Sequence, residues 1–429
     1  MNLSPSSERS TAHVVVIGSG IAGAAASIAA ATVTPSVVML DGGSGASTLA
    51  TGAIDRVFWK DSQEEPAKAL SEGAQAIVAA LEGYVVPVLG CAVVTMAGMV
   101  RRADGHDAAL LDVSALGAGR VGVVDCHRPG WNARELARAW GEGYAPFESS
   151  LLRHTDESLL PDADLAARHD DAGRLGWLAE RLREALARAR TRWTGIVLPP
   201  MLGVERPRAQ ALSQSVGLPC GEAVGSPGGP AGLRFESARD RALSSARAVK
   251  VMARASAVER YGETWRVTTE DGLVLQAYSV VFATGGLIGG GIAYAPSEAL
   301  LATALPPHVK PPLQLTLSAP VRLGARGRLL EAPGSLCGFA PEALARPFAR
   351  DSLVEAAGIL AEGLESGQSR DGRPRGLFAA GDVVADAARA WLGALSQGAQ
   401  AGADAAQSAL SRATVASGAK PAIGPAIRL

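Results

Sequence analysis

The 429 residues carry 41 Lys and Arg against 42 Asp and Glu, a formal net charge of −1, with 48% hydrophobic and 19% charged residues. Such a chain is large enough to bury sizeable cores in two or three lobes, and it has no basic surplus that would draw nucleic acid. No stretch approaches the ~20 uninterrupted apolar residues of a membrane-spanning helix, and the first twelve residues are polar, without the apolar core of a secretory leader. These features predict a cytoplasmic chain. Cys91, Cys126, Cys220 and Cys337 lie far apart and form no C-x-x-C pair. That spacing predicts reduced, buried thiols rather than a disulfide framework, and no metal-ligand cluster is expected.

Residues 14–17 are four consecutive β-branched apolar side chains, the pattern of a strand buried on both faces. They run into Gly18-Ser19-Gly20-Ile21-Ala22-Gly23, which has the G-x-G-x-x-G spacing. In such a turn Gly18 would allow the tight bend, Gly20 would let a pyrophosphate approach the backbone, and Gly23 would let helix and strand pack closely. The small apolar run from Ile21 to Ala31 predicts the helix, whose N-terminal N–H groups favour phosphate. Residues 37–41 predict the second strand, ending in Asp41, an acid placed to accept hydrogen bonds from an adenosine ribose. The following loop, Ser44 to Asp55, is small and polar. Its lack of bulk suits backbone lying along a flavin, with Ser47, Thr48, Thr51 and Gly52 as candidate cofactor contacts.

Beyond a stretch without decisive motifs, residues 121–125 predict a short strand. Asn132 and Glu135 form a capping-box pattern that opens a helix through Trp140. Leu175, Leu178, Leu182, Leu186 and Trp193 recur at helical spacing and predict an amphipathic helix over 174–192. Ile196 to Pro200 predicts another buried strand. Residues 249–285 alternate as three strands, punctuated by turns at Tyr261-Gly262-Glu263 and Glu270-Asp271-Gly272. They lead into Ala283-Thr284-Gly285, a second candidate cofactor segment. The Pro- and Gly-rich region 286–350 suits substrate-lobe loops or a partner surface. Leu377-Phe378-Ala379-Ala380 predicts a late strand before Gly381-Asp382, whose carboxylate is placed for the ribityl or pyrophosphate part of a flavin. A helix is expected from Gly393 to Ala409, with Gly398 and Gly402 for close packing, then a flexible tail.

In this order the elements predict an α/β, Rossmann-type flavoprotein fold with two dinucleotide-binding signatures and an inserted substrate or cap lobe. The FAD-binding domain is expected to be discontinuous (1–60, 245–290 and 370–412). The inserted α/β lobe would be 61–244, a variable substrate or partner lobe 291–369, and the tail 413–429.

The chain resembles the B subunit of the anaerobic glycerol-3-phosphate dehydrogenases. The matching stretches are Val14 to Gly23, Ala46 to Val57, Val121 to Trp140, Gly195 to Gly203, Gly225 to Leu243, Val281 to Gly291 and Leu377 to Ala406. Gly232-Leu233-Arg234 is among the more distinctive of them. The resemblance implies oxidation of sn-glycerol 3-phosphate to dihydroxyacetone phosphate, with electrons passed toward quinone. It also implies a second flavoprotein subunit and an iron–sulfur membrane-anchor subunit as partners, with the chain held peripherally at the inner face of the cell membrane. The flavin of that family's B subunit has been described as FMN; Gly18, Gly20, Gly23 and Asp41 argue instead for the full dinucleotide FAD. Asp382 departs from the family, standing where a smaller residue is expected, and region 286–350 does not match.

Acid–base candidates are few. Oxidising an alcohol at a flavin needs a base near the hydroxyl, and an anionic substrate needs a cationic clamp. His127, after a strand and before a capped helix, is the candidate base, and Arg234 the candidate anion-binding residue. A stand-alone FAD oxidoreductase acting on another hydroxy or keto acid, and a catalytically silent flavin relay or scaffold subunit, are the alternative readings.

Overall fold

The computed structural model describes residues 11–55, 70–88, 90–286, 289–291, 293–296, 315–318, 322–323, 337–339, 357–359, 376–384 and 390–416. Most of the lobe expected at 291–369, and the tail beyond 416, lie outside the described residues. The chain divides into two compact units. One comprises Met1–Ala46, Ala69–Ile77 and Leu243–Leu429, the other Ser47–Lys68 and Val78–Ala242. Residues 47–60, expected within the cofactor domain, thus fall in the second unit, as do Ser47, Thr48, Thr51 and Gly52.

In the first unit, Val14, Val15 and Val16 have no exposed surface, so strand Ala12–Ile17 is covered on both faces, as its unbroken apolar run requires. It pairs in parallel with Val37–Asp41 on one side and Val274–Phe282 on the other. Val249–Met252 adds in parallel outside Val37–Asp41, and Leu377–Ala379 outside Val274–Phe282. In chain order these five parallel strands stand 3-2-1-4-5. The connection changes direction between Ala12–Ile17 and Val274–Phe282, so a crevice is expected outside their carboxyl ends.

Residues 249–285 contain four strands rather than the three expected. Val249–Met252 is separate because it extends the parallel sheet. Ala255–Tyr261, Thr264–Thr269 and Val274–Phe282 form the antiparallel meander, turning at Gly262 and Gly272, both with positive φ. The last helix runs from Trp391 to Ala416, past the expected end at Ala409 and into residues read as tail. Its last turns are tied down by Arg412, 6% exposed, which donates to the carbonyls of Tyr278 and Glu263. Gly398 and Gly402 serve close packing on helix Ile21–Val33. A Cβ on either would lie 2.2 Å from the Ala22 carbonyl oxygen or 2.1 Å from that of Ala26.

The second unit is built on a parallel four-stranded sheet in the order Cys220–Glu222, Trp193–Leu198, Arg120–Asp125, Tyr144–Glu148. Helix Ala133–Trp140 starts as expected, with the Asn132 side chain accepting from the Glu135 amide at 3.2 Å. Helix Ala172–Arg188 is capped by Asp171 and buries Leu175, Leu178 and Leu182. It ends before the expected residue 192: Trp193 is the first residue of a strand, paired with Arg120, so its place in the helical periodicity was coincidental. Cys91, Cys126 and Cys220 are buried free thiols. Burial pushes them up to about 11, 12 and 12, which makes them poor nucleophiles.

Two buried titratable groups in this unit set its acid response. Glu157, 1% exposed, accepts from Arg174 at 2.5 Å, Arg168 at 2.7 Å and the amide of Arg153 at 2.6 Å. Burial pushes its carboxyl up, but these donors outweigh burial and hold it at about 2. His169, with no exposed surface, is lowered by burial to about 4 from an ordinary 6.5. Both folded values lie below the unfolded ones, so both contributions are present at neutral pH and are lost on acidification. The His169 share goes between pH 6.5 and 4, and the Glu157 share from about pH 4.5 down toward 2. Urea unfolding is therefore expected to show stability falling by on the order of 3 kcal/mol between pH 6.5 and 4, since each tenfold difference in proton affinity between the folded and unfolded chain is worth about 1.4 kcal/mol. His169→Gln should flatten that slope; an equal slope in the variant would remove His169 as its source.

Candidate dinucleotide-binding site

The carboxyl ends of the first unit's parallel strands bring the sequence's separate glycine motifs to one place. Gly18 follows strand Ala12–Ile17 with a φ of +115°, and its amide donates to the Leu40 carbonyl at 2.9 Å. A Cβ there would sit 2.1 Å from the Ala283 carbonyl oxygen, so only glycine lets the first loop lie against the second. Gly23 is needed for close approach, since its Cβ would lie 1.9 Å from the Gly18 carbonyl oxygen. Gly20 differs: its φ of −66° is open to any residue. Gly20 is the N-cap of helix Ile21–Val33, whose first turn holds no acid. The amide dipoles give that end a partial positive charge.

Ala283-Thr284-Gly285 continues directly from strand Val274–Phe282, with the Ala283 amide donating to the Ile17 carbonyl at 2.9 Å. Gly381, at a φ of +78°, turns the late strand into a short 3-10 turn that carries Asp382. A Cβ on Gly381 would be 2.7 Å from the Ala22 Cβ, and its amide donates to the Gln397 side chain at 2.8 Å. The late motif therefore lies beside the first turn of the crossover helix. Gly18, Gly20, Gly23, Ala283, Thr284, Gly285, Gly381 and Asp382, read from three distant stretches, lie together at the carboxyl ends of the parallel strands.

Asp41 closes the second strand and is 6% exposed. Its Oδ1 accepts from the Ser19 hydroxyl at 2.6 Å and the Gly43 amide at 3.0 Å, and its Oδ2 faces the Lys250 ammonium at 3.7 Å. Arg254 donates to the neighbouring Gly42 carbonyl at 3.1 Å. Ser19, Lys250, Arg254 and Gln397 escape a reading of the sequence. Ser19 occupies a variable position of the fingerprint, and Lys250 and Arg254 reach the second strand only because Val249–Met252 pairs with it.

The other candidates lie in the second unit. The Thr48 hydroxyl donates to Glu236 at 3.1 Å rather than standing ready for a phosphate. The Gly52 carbonyl accepts from the Asp107 amide at 2.7 Å, and Ser47 is 8% exposed. Arg234, expected as an anion clamp, is instead 1% exposed and fully committed. It donates to Asp107 at 2.7 Å, to Glu222 at 2.7 Å and to the Gly203 carbonyl at 2.6 Å. Burial works against its charge, but the two carboxylates hold it protonated, and burial in turn pushes the Glu222 carboxyl up. A buried guanidinium already neutralised by two carboxylates has no net charge to offer an anionic substrate. His127 sits at the carboxyl end of strand Arg120–Asp125 with a φ of +52°, its side chain 92% exposed and 3.8 Å from Asp125.

Strand order, the loops at the direction change and the acid at the second strand's end define a Rossmann-type α/β fold of the dinucleotide-binding kind. No family model matches the chain, and no curated protein matches it. Among solved structures, it is similar to a thioredoxin reductase from Gloeobacter violaceus, at 10% identity over 98% of each chain with a TM-score of 0.30. A glycine oxidase from Geobacillus kaustophilus is similar at 14% identity over 96% of each chain, with a TM-score of 0.28. For the Diels-Alderase PyrE3 the identity is 10%, over 67% of this chain and 36% of that one, with a TM-score of 0.23. The chain also spans only 41% of a flavin monooxygenase from Stenotrophomonas maltophilia. Likeness at these scores carries no argument, and the fold rests on the chain's own topology. Among the described residues, no group of three or more His, Cys, Asp or Glu is placed to hold a metal ion, and no helix is long and apolar enough to cross a membrane.

Proposed function

We propose that the chain is an FAD-dependent oxidoreductase. The observation that carries this is the convergence of Gly18–Gly23, Ala283–Gly285 and Gly381-Asp382 at the direction change of a 3-2-1-4-5 parallel sheet, with Asp41 at the end of the second strand. The residues fit the dinucleotide. The helix N-terminus with Gly20 suits the pyrophosphate, and Asp41 suits the adenosine ribose, since its engaged Oδ1 leaves acceptor capacity on a carboxylate with about four lone-pair sites. Asp382 suits the ribityl chain. FAD would supply the hydride and electron acceptor that the chain's own side chains lack. FMN, implied by the family resemblance, has no adenosine ribose for Asp41 to bind.

The finer reading is that of the resemblance: sn-glycerol 3-phosphate as substrate, electrons passed toward quinone, and a second flavoprotein subunit and an iron–sulfur anchor subunit as partners. Its support is the collinear run of matching stretches. One observation favours a second reading, a flavin relay or scaffold subunit: the clamp expected at Arg234 is spent on Asp107 and Glu222. Flavin bleaching on anaerobic addition of sn-glycerol 3-phosphate to the isolated chain separates the two.

Cofactor retention tests the assignment itself. Asp41→Ala is expected to weaken FAD binding by roughly 1–3 kcal/mol through loss of charge-assisted hydrogen bonds while leaving FMN binding unchanged. Asp382→Ala should weaken both flavins. Equilibrium titration of the apoprotein reads the difference, and equal loss of both flavins in Asp41→Ala would contradict the ribose role.

A further inference from the structure

The second unit has a groove that the proposed flavin chemistry does not use. Its volume is about 950 Å³, within the range of small-molecule sites. It is lined by the end of helix Ala172–Arg188 and the link that follows, with Arg188 and Arg190, and by the segment after edge strand Tyr144–Glu148, with Arg153 and His154. Phe147 and Trp193 also line it, their rings packed edge to face at 5.5 Å.

The arginines of this groove differ from their neighbours. Arg128, Arg168, Arg174 and Arg181 in the same unit are each paired with a carboxylate within 4 Å. Among the described residues, Arg153, Arg188 and Arg190 have no such partner. Glu148 also lines the groove, and Asp125 does so with His127 3.8 Å from it. Three unpaired guanidiniums against these two carboxylates leave an excess of positive charge at neutral pH. The donors come from two separate chain segments, so one negative charge would leave the rest of the positive charge unmatched. Guanidinium forks match the oxygens of phosphate and carboxylate groups.

We propose that this groove binds a small polyanion, a molecule bearing at least two negative charges, engaged by Arg153, Arg188 and Arg190. Polyphosphate and polycarboxylate ligands share this chemistry, so the test has an arm for each. None of Arg153, Arg188 and Arg190 is among the residues assigned to the flavin. The full-length chain, saturated with FAD, would be titrated calorimetrically with inorganic pyrophosphate and separately with citrate. Saturable binding of at least one is expected, weakened about tenfold or more in Arg188→Gln/Arg190→Gln, since each lost charge-assisted hydrogen bond is worth about 1.5–3 kcal/mol. Both side chains are exposed, so the variant should fold as wild type. Arg183→Gln, equally exposed but outside the groove, should bind as wild type. Tighter pyrophosphate than citrate would assign a polyphosphate, and the reverse a polycarboxylate. Absence of saturable binding of either anion, undiminished binding in the double variant, or equal loss in Arg183→Gln would overturn the proposal.

Discussion

Gly18→Val is expected to give a chain that retains no FAD and unfolds at markedly lower urea, with roughly 3–5 kcal/mol lost. Two costs add. A β-branched residue is strained at a φ of +115°, and its Cβ would sit 2.1 Å from the Ala283 carbonyl oxygen, forcing apart the two central strand ends. Gly20→Val separates cofactor binding from stability. Its φ of −66° carries no left-handed strain for valine, so this variant should lose less stability than Gly18→Val and still lose FAD, because in the proposed site its side chain would stand where the pyrophosphate meets the helix. Urea unfolding with flavin absorbance distinguishes the two patterns. Wild-type FAD affinity in Gly20→Val would mean that no phosphate approaches that backbone.

The second large effect is Arg234→Met. Removing the guanidinium leaves Asp107 and Glu222, 0% and 1% exposed, as two buried carboxylates without a counter-charge, at a cost of about 3–5 kcal/mol. The defect should shrink as pH falls, since burial already pushes the Glu222 carboxyl up and its protonation removes one of the unpaired charges. It should also shrink in the combined variant with Glu222→Gln. The same network steadies the neighbouring loop, since the Asp107 amide donates to the Gly52 carbonyl and a Cβ on Gly232 would lie 1.8 Å from the Thr48 carbonyl oxygen. A loss below about 1 kcal/mol at neutral pH would show that the pair is worth no more than an exposed salt bridge.

Local pattern carried much of the fold. The β-branched run at 14–17, the glycine spacing after it and the turn residues at 262 and 272 each impose one backbone outcome, and each element formed where its residues required. What stayed hidden depended on pairing at a distance. Strand Val249–Met252 is too short to announce that it extends a parallel sheet, and the positions of Lys250 and Arg254 beside Asp41 and Gly42 follow from that pairing alone. Trp193 fell on a helical period by chance, while its strand is fixed by its neighbour Arg120–Asp125. Arg234 looked like a ligand clamp because an anionic substrate needs a cationic partner. Its two acidic partners lie elsewhere in the sequence, and burial is not written in its neighbours. The meeting of the glycine loops at the strand ends was legible because glycines at close approaches are chosen by sterics. The substrate side was not, because a base or clamp is defined by what surrounds it.

The most direct test is the identity of the flavin. The purified chain, stripped and then titrated with FAD and with FMN, is expected to bind FAD saturably at one per chain and FMN more weakly, and the cofactor released from untreated protein should have the mass of FAD. Preference for FMN, or no saturable binding of FAD, would contradict the assignment of Gly18–Gly23 and Asp41 to an adenine dinucleotide.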